Sequence, residues 1–165
     1  AVKEAKGETV KPEIDTVMEI PIDAHIPKKY IPRETGRISM YKRIAAITDI
    51  DSFRDVQDEL IDRYGEIPRS VQNLLDIALY KSRAAQLGIL NFTVHPEEVR
   101  FTFGADAPLD GAKLLAAVGT IDGAAFAAGE KIALVIKNKH KTGEEMFRIA
   151  QDAVNTLLLC TENAG

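Results

Sequence analysis

Cysteine is almost missing from this chain. Cys160 is the single one in 165 residues, which excludes an internal disulfide and fits a reducing cytoplasm. Long hydrophobic runs are missing too. No apolar stretch approaches the roughly 20 residues that span a bilayer, and no signal peptide opens the chain, so the expectation is a cytoplasmic protein without a membrane partner. An excess of positive charge is also absent. Lys and Arg number 21 against 25 Asp and Glu, a net charge of -4, whereas affinity for nucleic acid rests on neutralising phosphates. Ala1 stands where a Met would open a reading frame, which fits Met removal and equally fits a piece cut from a longer protein.

Catalytic signatures are lacking as well. There is no G-x-x-x-x-G-K-[ST] to cradle phosphates and no G-x-G-x-x-G after a strand. Gly119, Gly123 and Gly129 are scattered where turns require them. His25, His95, His140 and Cys160 lie far apart and lack metal-ligand spacing. Nothing favours a Ser-His-Asp or Cys-His arrangement. The expectation is a chain that is not itself an enzyme, with no catalytic, cofactor-binding or metal-binding residue and no cofactor of its own.

What is present is ordinary globular material, 45% hydrophobic and 28% charged, enough for one domain or two small lobes. Residues 1–13 are polar, with Gly7 and Pro12, and read as a flexible linker. Thr16 to Ile22 is β-prone, and Pro21 makes it an edge strand. Pro27 and Pro32 make the stretch from Asp23 to Pro32 an extended arm. Three helices follow. The first, from Arg33–Gly36 to about Ile47, carries Ile38, Tyr41, Ala45 and Thr48 on one stripe with Ile44 beside it. The second has Asp49 or Asp51 as cap, Phe53, Val56, Leu60, Ile61 and Tyr64 at helical spacing, and Gly65 as its stop. The third opens at Pro68 and buries Val71, Leu74, Leu75, Ala78, Ser82 and Ala85 before Gly88.

After Gly88 the hydrophobic period changes. Ile89 to Val94 and Glu98 to Phe103 predict a hairpin around His95-Pro96-Glu97, and Pro108 to Val118 a small helix capped by Asp106. Ala124 to Ala127 and Lys131 to Ile136 predict a second strand pair around Gly129-Glu130. Thr142-Gly143-Glu144-Glu145 is a capping box, opening a helix with Met146, Ile149, Ala153, Val154 and Leu157 on one face. The class is α+β: an N-terminal edge strand and three-helix segment, then a small ββαββα lobe with an antiparallel sheet. Residues 14–165 form a single domain, with 14–88 holding the strand and three helices and 89–165 the sheet and helices.

Two charged features stand out. On the second helix, Asp55, Asp58, Glu59 and Asp62 recur at i+3 and i+4 steps opposite the buried stripe, with Arg63 beside them. They serve either as a solvated face with weak local ion pairs or as a docking surface for a basic partner. The second feature is Lys137, Lys139 and Lys141 around His140, with Arg37, Lys42 and Arg43 on the first helix as a further basic cluster. These are the candidates for phosphate contact, although no aromatics interleave them to stack on bases. A small-molecule enzyme with a polar pocket between the lobes is a third reading.

The residues also carry a resemblance. Tyr30-Ile31-Pro32, Arg37, Tyr41-Lys42-Arg43-Ile44-Ala45, Glu59-Leu60-Ile61-Asp62-Arg63-Tyr64-Gly65, Pro68, Leu74-Leu75-Asp76-Ile77-Ala78 and Leu87-Gly88-Ile89 occur in that order. This resembles the C-terminal domain of bacterial transcription-repair coupling factor, closely from Tyr30 to Ile89 and beyond that only in the pattern of elements. Tyr64 replaces the usual Phe, and Arg33-Glu34-Thr35-Gly36 is a looser helix entrance than usual. The resemblance implies a large ATP-dependent DNA translocase as parent, with ATP and Mg bound outside this chain. Such a parent displaces stalled RNA polymerase from lesions on DNA and recruits nucleotide excision repair through a damage-recognition ATPase. It further implies that this domain is regulatory and autoinhibitory, docking on the parent's N-terminal excision-repair-like module, and that Glu59, Asp62 and Arg63 take part. The competing expectation is an independent nucleic-acid-binding module using the 137–141 loop.

Overall fold

The computed structural model of the chain describes residues 16–105, 107, 111–127, 129–138 and 141–162, without the side chains of residues 113 and 160–162. The linker expected over 1–13, the Asp106 cap, the helix start at 108–110 and Lys139 lie outside the described residues. The elements run β1 (Val17–Glu19), α1 (Glu34–Ala45), α2 (Ile50–Tyr64), α3 (Arg69–Gln86), β2 (Ile89–Val94), β3 (Glu98–Phe103), α4 (Gly111–Thr120), β4 (Ala124–Ala127), β5 (Ala133–Lys137) and α5 (Gly143–Glu162).

One five-stranded sheet organises the fold, in the order β1-β2-β3-β5-β4. The four later strands pair antiparallel, as expected of the lobe. β1 adds to β2 in parallel and at the edge, so the sheet as a whole is mixed and the N-terminal strand shares it with the lobe. Pro21 follows β1, where the missing N–H costs the ladder nothing. The β2–β3 turn is closed by the His95 N–H donating to the Glu98 carbonyl at 2.8 Å. Phe92 and Phe101 face each other across the pair with ring centroids 4.8 Å apart. With Val94, Val99, Leu134 and Ile136 they form the buried apolar layer against which α3 and α5 pack.

The helices follow their local chemistry closely. At the start of α2 the Asp49 carboxylate accepts from the Ser52 N–H at 2.7 Å, and the Ser52 hydroxyl accepts from the Asp49 N–H at 3.2 Å. This is a reciprocal cap of two orphan donors. Gly65 ends α2 at φ 87°, a conformation only glycine adopts without strain. Pro68 is the N-cap of α3, one residue outside the first turn. The Thr142–Glu145 box opens α5, with the Glu145 N–H donating to the Thr142 hydroxyl at 3.1 Å.

The buried stripes differ from the sequence expectation on all three of the first helices. In α1 the buried residues are Met40 and Ile44, with Ile47 just beyond, while Ile38 and Tyr41 are exposed. Ile61 of α2 is also exposed, leaving Phe53, Val56 and Leu60 as the buried set. In α3 the core side is Val71, Leu75, Leu79, Tyr80 and Ala84, and Leu74, Ala78, Ser82 and Ala85 are only half-buried. The reason lies in how the elements are shared. Helix α3 touches both the sheet with α5 and, on another side, α1 and α2, so it needs more than one apolar stripe.

Candidate functional site

The outer face of α2 carries a row of charged side chains. Asp55, Asp58 and Asp62 are exposed along it, as the i+3 and i+4 spacing requires once Phe53, Val56 and Leu60 face the core. No ion pair among the described residues engages these three carboxylates. Glu59 is different. It is half-buried between two guanidinium groups: Arg43 Nη1 of α1 donates to Glu59 Oε1, and Arg63 Nη1 reaches Glu59 Oε2 at 3.4 Å. The hydrogen bond from Arg43 is the main force holding the Glu59 carboxyl below the usual range; burial opposes it, and the charges of Arg43 and Arg63 add further to the lowering. Arg63 itself lies 5.1 Å from the centre of the Tyr64 ring, a cation–π contact that helps set its direction.

The end of α2 is fixed by the arm before α1. The Tyr30 hydroxyl donates to the Gly65 carbonyl at 2.9 Å and approaches the Leu60 carbonyl at 3.3 Å. Its ring packs on Tyr64, with centroids 5.7 Å apart. Burial, then the neighbouring Tyr64, raises the Tyr30 phenol above its ordinary value, so it remains a neutral donor. Arg37 Nη1 donates to the Ile31 and Pro32 carbonyls at 2.9 Å each, locking that arm onto α1. The charged face therefore stands on a braced helix rather than on a loop.

This accounts for Arg37 and Arg43, which composition groups with Lys42 as a basic cluster. Two of the three are committed to protein groups. Of the other basic candidates, Lys137 is exposed at the end of β5, and Lys141 pairs with Glu145 at 3.8 Å. The pairing of Arg43 with Glu59 escapes a sequence reading because the partners sit on different helices, 16 residues apart. The only hint is the coincidence of a basic last turn on one helix with an acidic face on the next.

A polar cleft of about 350 Å³ lies along the α3–α5 seam. Its groups largely satisfy one another: Arg69 Nε donates to Glu144 at 3.0 Å, Gln72 to Asp76 at 3.1 Å, and Asn73 to the Asp23 carbonyl at 2.9 Å. Burial pushes the Asp76 carboxyl above its ordinary range, opposed by the Gln72 bond. The residues that line the cleft include no Ser, Thr, Cys or His. Among the described residues no group of His, Cys, Asp and Glu is placed to hold a metal, and no helix is long and apolar enough to cross a membrane.

The comparisons with known proteins agree with one another. The TRCF domain family matches residues 20–114. A transcription-repair-coupling factor of Bacillus subtilis is 33% identical over 151 residues, covering 88% of this chain and 13% of the relative. One from Myxococcus xanthus is 29% identical over 160 residues, covering 97% of this chain and 13% of the relative. The chain thus spans about 13% of the length of these curated relatives. A crystal structure of the C-terminal domain of transcription-repair coupling factor superposes with a TM-score of 0.84, covering 94% of this chain and 99% of that one at 24% identity. The chain belongs to the TRCF domain family, the C-terminal domains of transcription-repair coupling factors.

Proposed function

We propose that this domain is a regulatory docking module, without catalysis of its own, that restrains its parent by binding the parent's N-terminal excision-repair-like module. The parent would be a cytoplasmic, ATP-dependent DNA translocase that displaces stalled RNA polymerase and recruits the damage-recognition ATPase. The observation that carries the docking role is the α2 face. Asp55, Asp58 and Asp62 project from a helix braced at both ends, with Arg63 steered by Tyr64 beside them. A rigid row of exposed, mixed charge suits a contact that must be specific yet able to open. A clamp worth about 5.5 kcal/mol already takes an equilibrium from 1:99 to 99:1, so a few wet ion pairs lie in the useful range.

Glu59 contributes by organising the face: its two carboxylate oxygens hold Arg43 and Arg63. Asp62 and Arg63 are the better probes of direct contact, since replacing Glu59 also unties α1 from α2. The test is the affinity of the domain carrying Asp62→Ala and Arg63→Ala for the isolated N-terminal module at low salt. A drop of about tenfold or more is expected from losing close charge pairs. Unchanged affinity with an intact circular dichroism spectrum would overturn the assignment.

A further inference from the structure

Arg43, Arg63 and Arg69 each meet a carboxylate. Arg83 of α3 is held differently. It is half-buried beside α5, with its guanidinium 5.1 Å from the centre of the Tyr80 ring. Nη1 donates to Asn155 Oδ1 at 2.7 Å and approaches the Tyr80 hydroxyl at 3.3 Å. Asn155 Nδ2 donates to the same hydroxyl at 2.9 Å. The Tyr80 ring is in turn set edge-on against Phe147, with centroids 6.3 Å apart. Three side chains from two helices thus close a triangle that fixes the guanidinium, and both of its partners are neutral.

Taking a charge partly out of water without an opposite charge is unfavourable. Among the described residues no carboxylate pairs with Arg83, and no hydrogen bond engages its Nε or Nη2. Arg83 and Asn155 line an open cleft of about 430 Å³ where α3, α5 and the N-terminal end of α2 meet. Leu159 of α5, 59% exposed, and Ile50 of α2, 37% exposed, supply apolar surface to it. Asp49 also lines the cleft, but its carboxylate accepts from the Ser52 N–H and is set against the positive end of α2. What the cleft offers is one oriented cation beside exposed leucine and isoleucine side chains. A carboxylate fits a guanidinium through two parallel N–H···O bonds, here from Nε and Nη2, the edge that the triangle leaves unused. A bare anion would take that edge and leave Leu159 and Ile50 wet.

We infer that this cleft docks an Asp or Glu side chain that a partner protein carries beside an apolar one. Arg83 takes the carboxylate side-on, and Leu159 and Ile50 take the apolar neighbour. Asn155 and Tyr80 are positioning residues: they hold the guanidinium in advance, so little side-chain entropy is lost when the carboxylate arrives. The cleft lies at the end of α2 away from Arg63, so this contact is separate from the charged outer face of that helix.

The experiment is an NMR titration of the full 165-residue chain, reading the Arg83 Nε–Hε correlation and the Leu159 methyls. Acetyl-Leu-Glu-amide should shift both saturably, and acetyl-Leu-Gln-amide and acetate should each bind at least about fivefold more weakly, since each lacks one half of the match. Arg83→Lys, which keeps the charge but not the fork, should abolish the preference for Glu over Gln. Leu159→Ser, at an exposed position, should bring the Glu peptide close to acetate. If Arg83→Lys destabilises the chain, the wild-type comparison of the two peptides decides. No saturable shift, or equal affinity for the Glu and Gln peptides, overturns the proposal. So does inorganic phosphate binding as tightly as the Glu peptide, which would make the cleft a simple oxyanion site.

Discussion

Two carboxyl groups on neighbouring helices respond to pH in opposite directions. Glu59 is held below its ordinary range by Arg43, so it stabilises the fold above the unfolded value near pH 4, and that contribution is lost as pH falls through the folded value. Asp76 is pushed up by burial, so its contribution is complete below the unfolded value and is lost as pH rises through the folded one. Glu59→Gln should therefore lower the melting temperature at pH 7, by an amount that shrinks as the pH falls toward 3. Asp76→Asn should raise it by a few degrees at pH 7, still accepting from Gln72, and converge on the wild type at pH 3. Thermal unfolding at the two pH values checks both signs, and a parallel shift at pH 3 would contradict the assignment. Gly123 is a third single-residue case. It has φ 80°, and a Cβ there would stand 2.4 Å from the Lys137 carbonyl oxygen while the Gly123 carbonyl accepts from the Lys137 N–H. Gly123→Ala should cost about 2 kcal/mol or more in urea unfolding, from strain and the displaced β4–β5 end.

At the scale of elements, the arm preceding α1 is as important as the helices it touches. The Ile26 N–H is paired with the Tyr41 hydroxyl at 2.8 Å, in a residue that is 4% exposed. Tyr41→Phe leaves that donor without its partner and should cost about 1–3 kcal/mol, measured as a lowered urea midpoint with an unchanged slope. The sequence makes the elements themselves legible because their ends carry strong local chemistry: Asp49 with Ser52, Gly65, and Thr142 with Glu145. It misplaces the buried stripes for a reason of another kind. Ile38, Tyr41, Ala45 and Thr48 do form a helical stripe, but the core takes Met40 and Ile44, leaving Ile38 exposed and Tyr41, Ala45 and Thr48 along an open groove between α1 and α3. Which of two apolar faces meets the core depends on the neighbours of α1 and α3, and periodicity within one helix does not contain it. The parallel pairing of β1 is hidden for the same reason, since its partner β2 lies 73 residues on at the Thr16–Ile89 contact.

Over the whole molecule, the candidate site was readable as a pattern of residue types, because an acidic face opposite an apolar stripe is a property of one helix. Its internal division was not. Arg43 reaches Glu59 from another helix, which separates an organising carboxylate from the exposed Asp55, Asp58 and Asp62. The same committed arginines weaken the case for phosphate contact through α1. The central claim is that this module recognises a protein partner through screened charge, and it is tested most directly by titrating the domain with the isolated N-terminal module at low and at near-physiological salt, with double-stranded DNA as a parallel titrant. The account predicts binding to the module at about 1–100 μM, an energy of roughly 5 to 8 kcal/mol, weakened severalfold by the added salt, and no DNA binding. Steeply salt-dependent affinity for DNA without affinity for the module would contradict it.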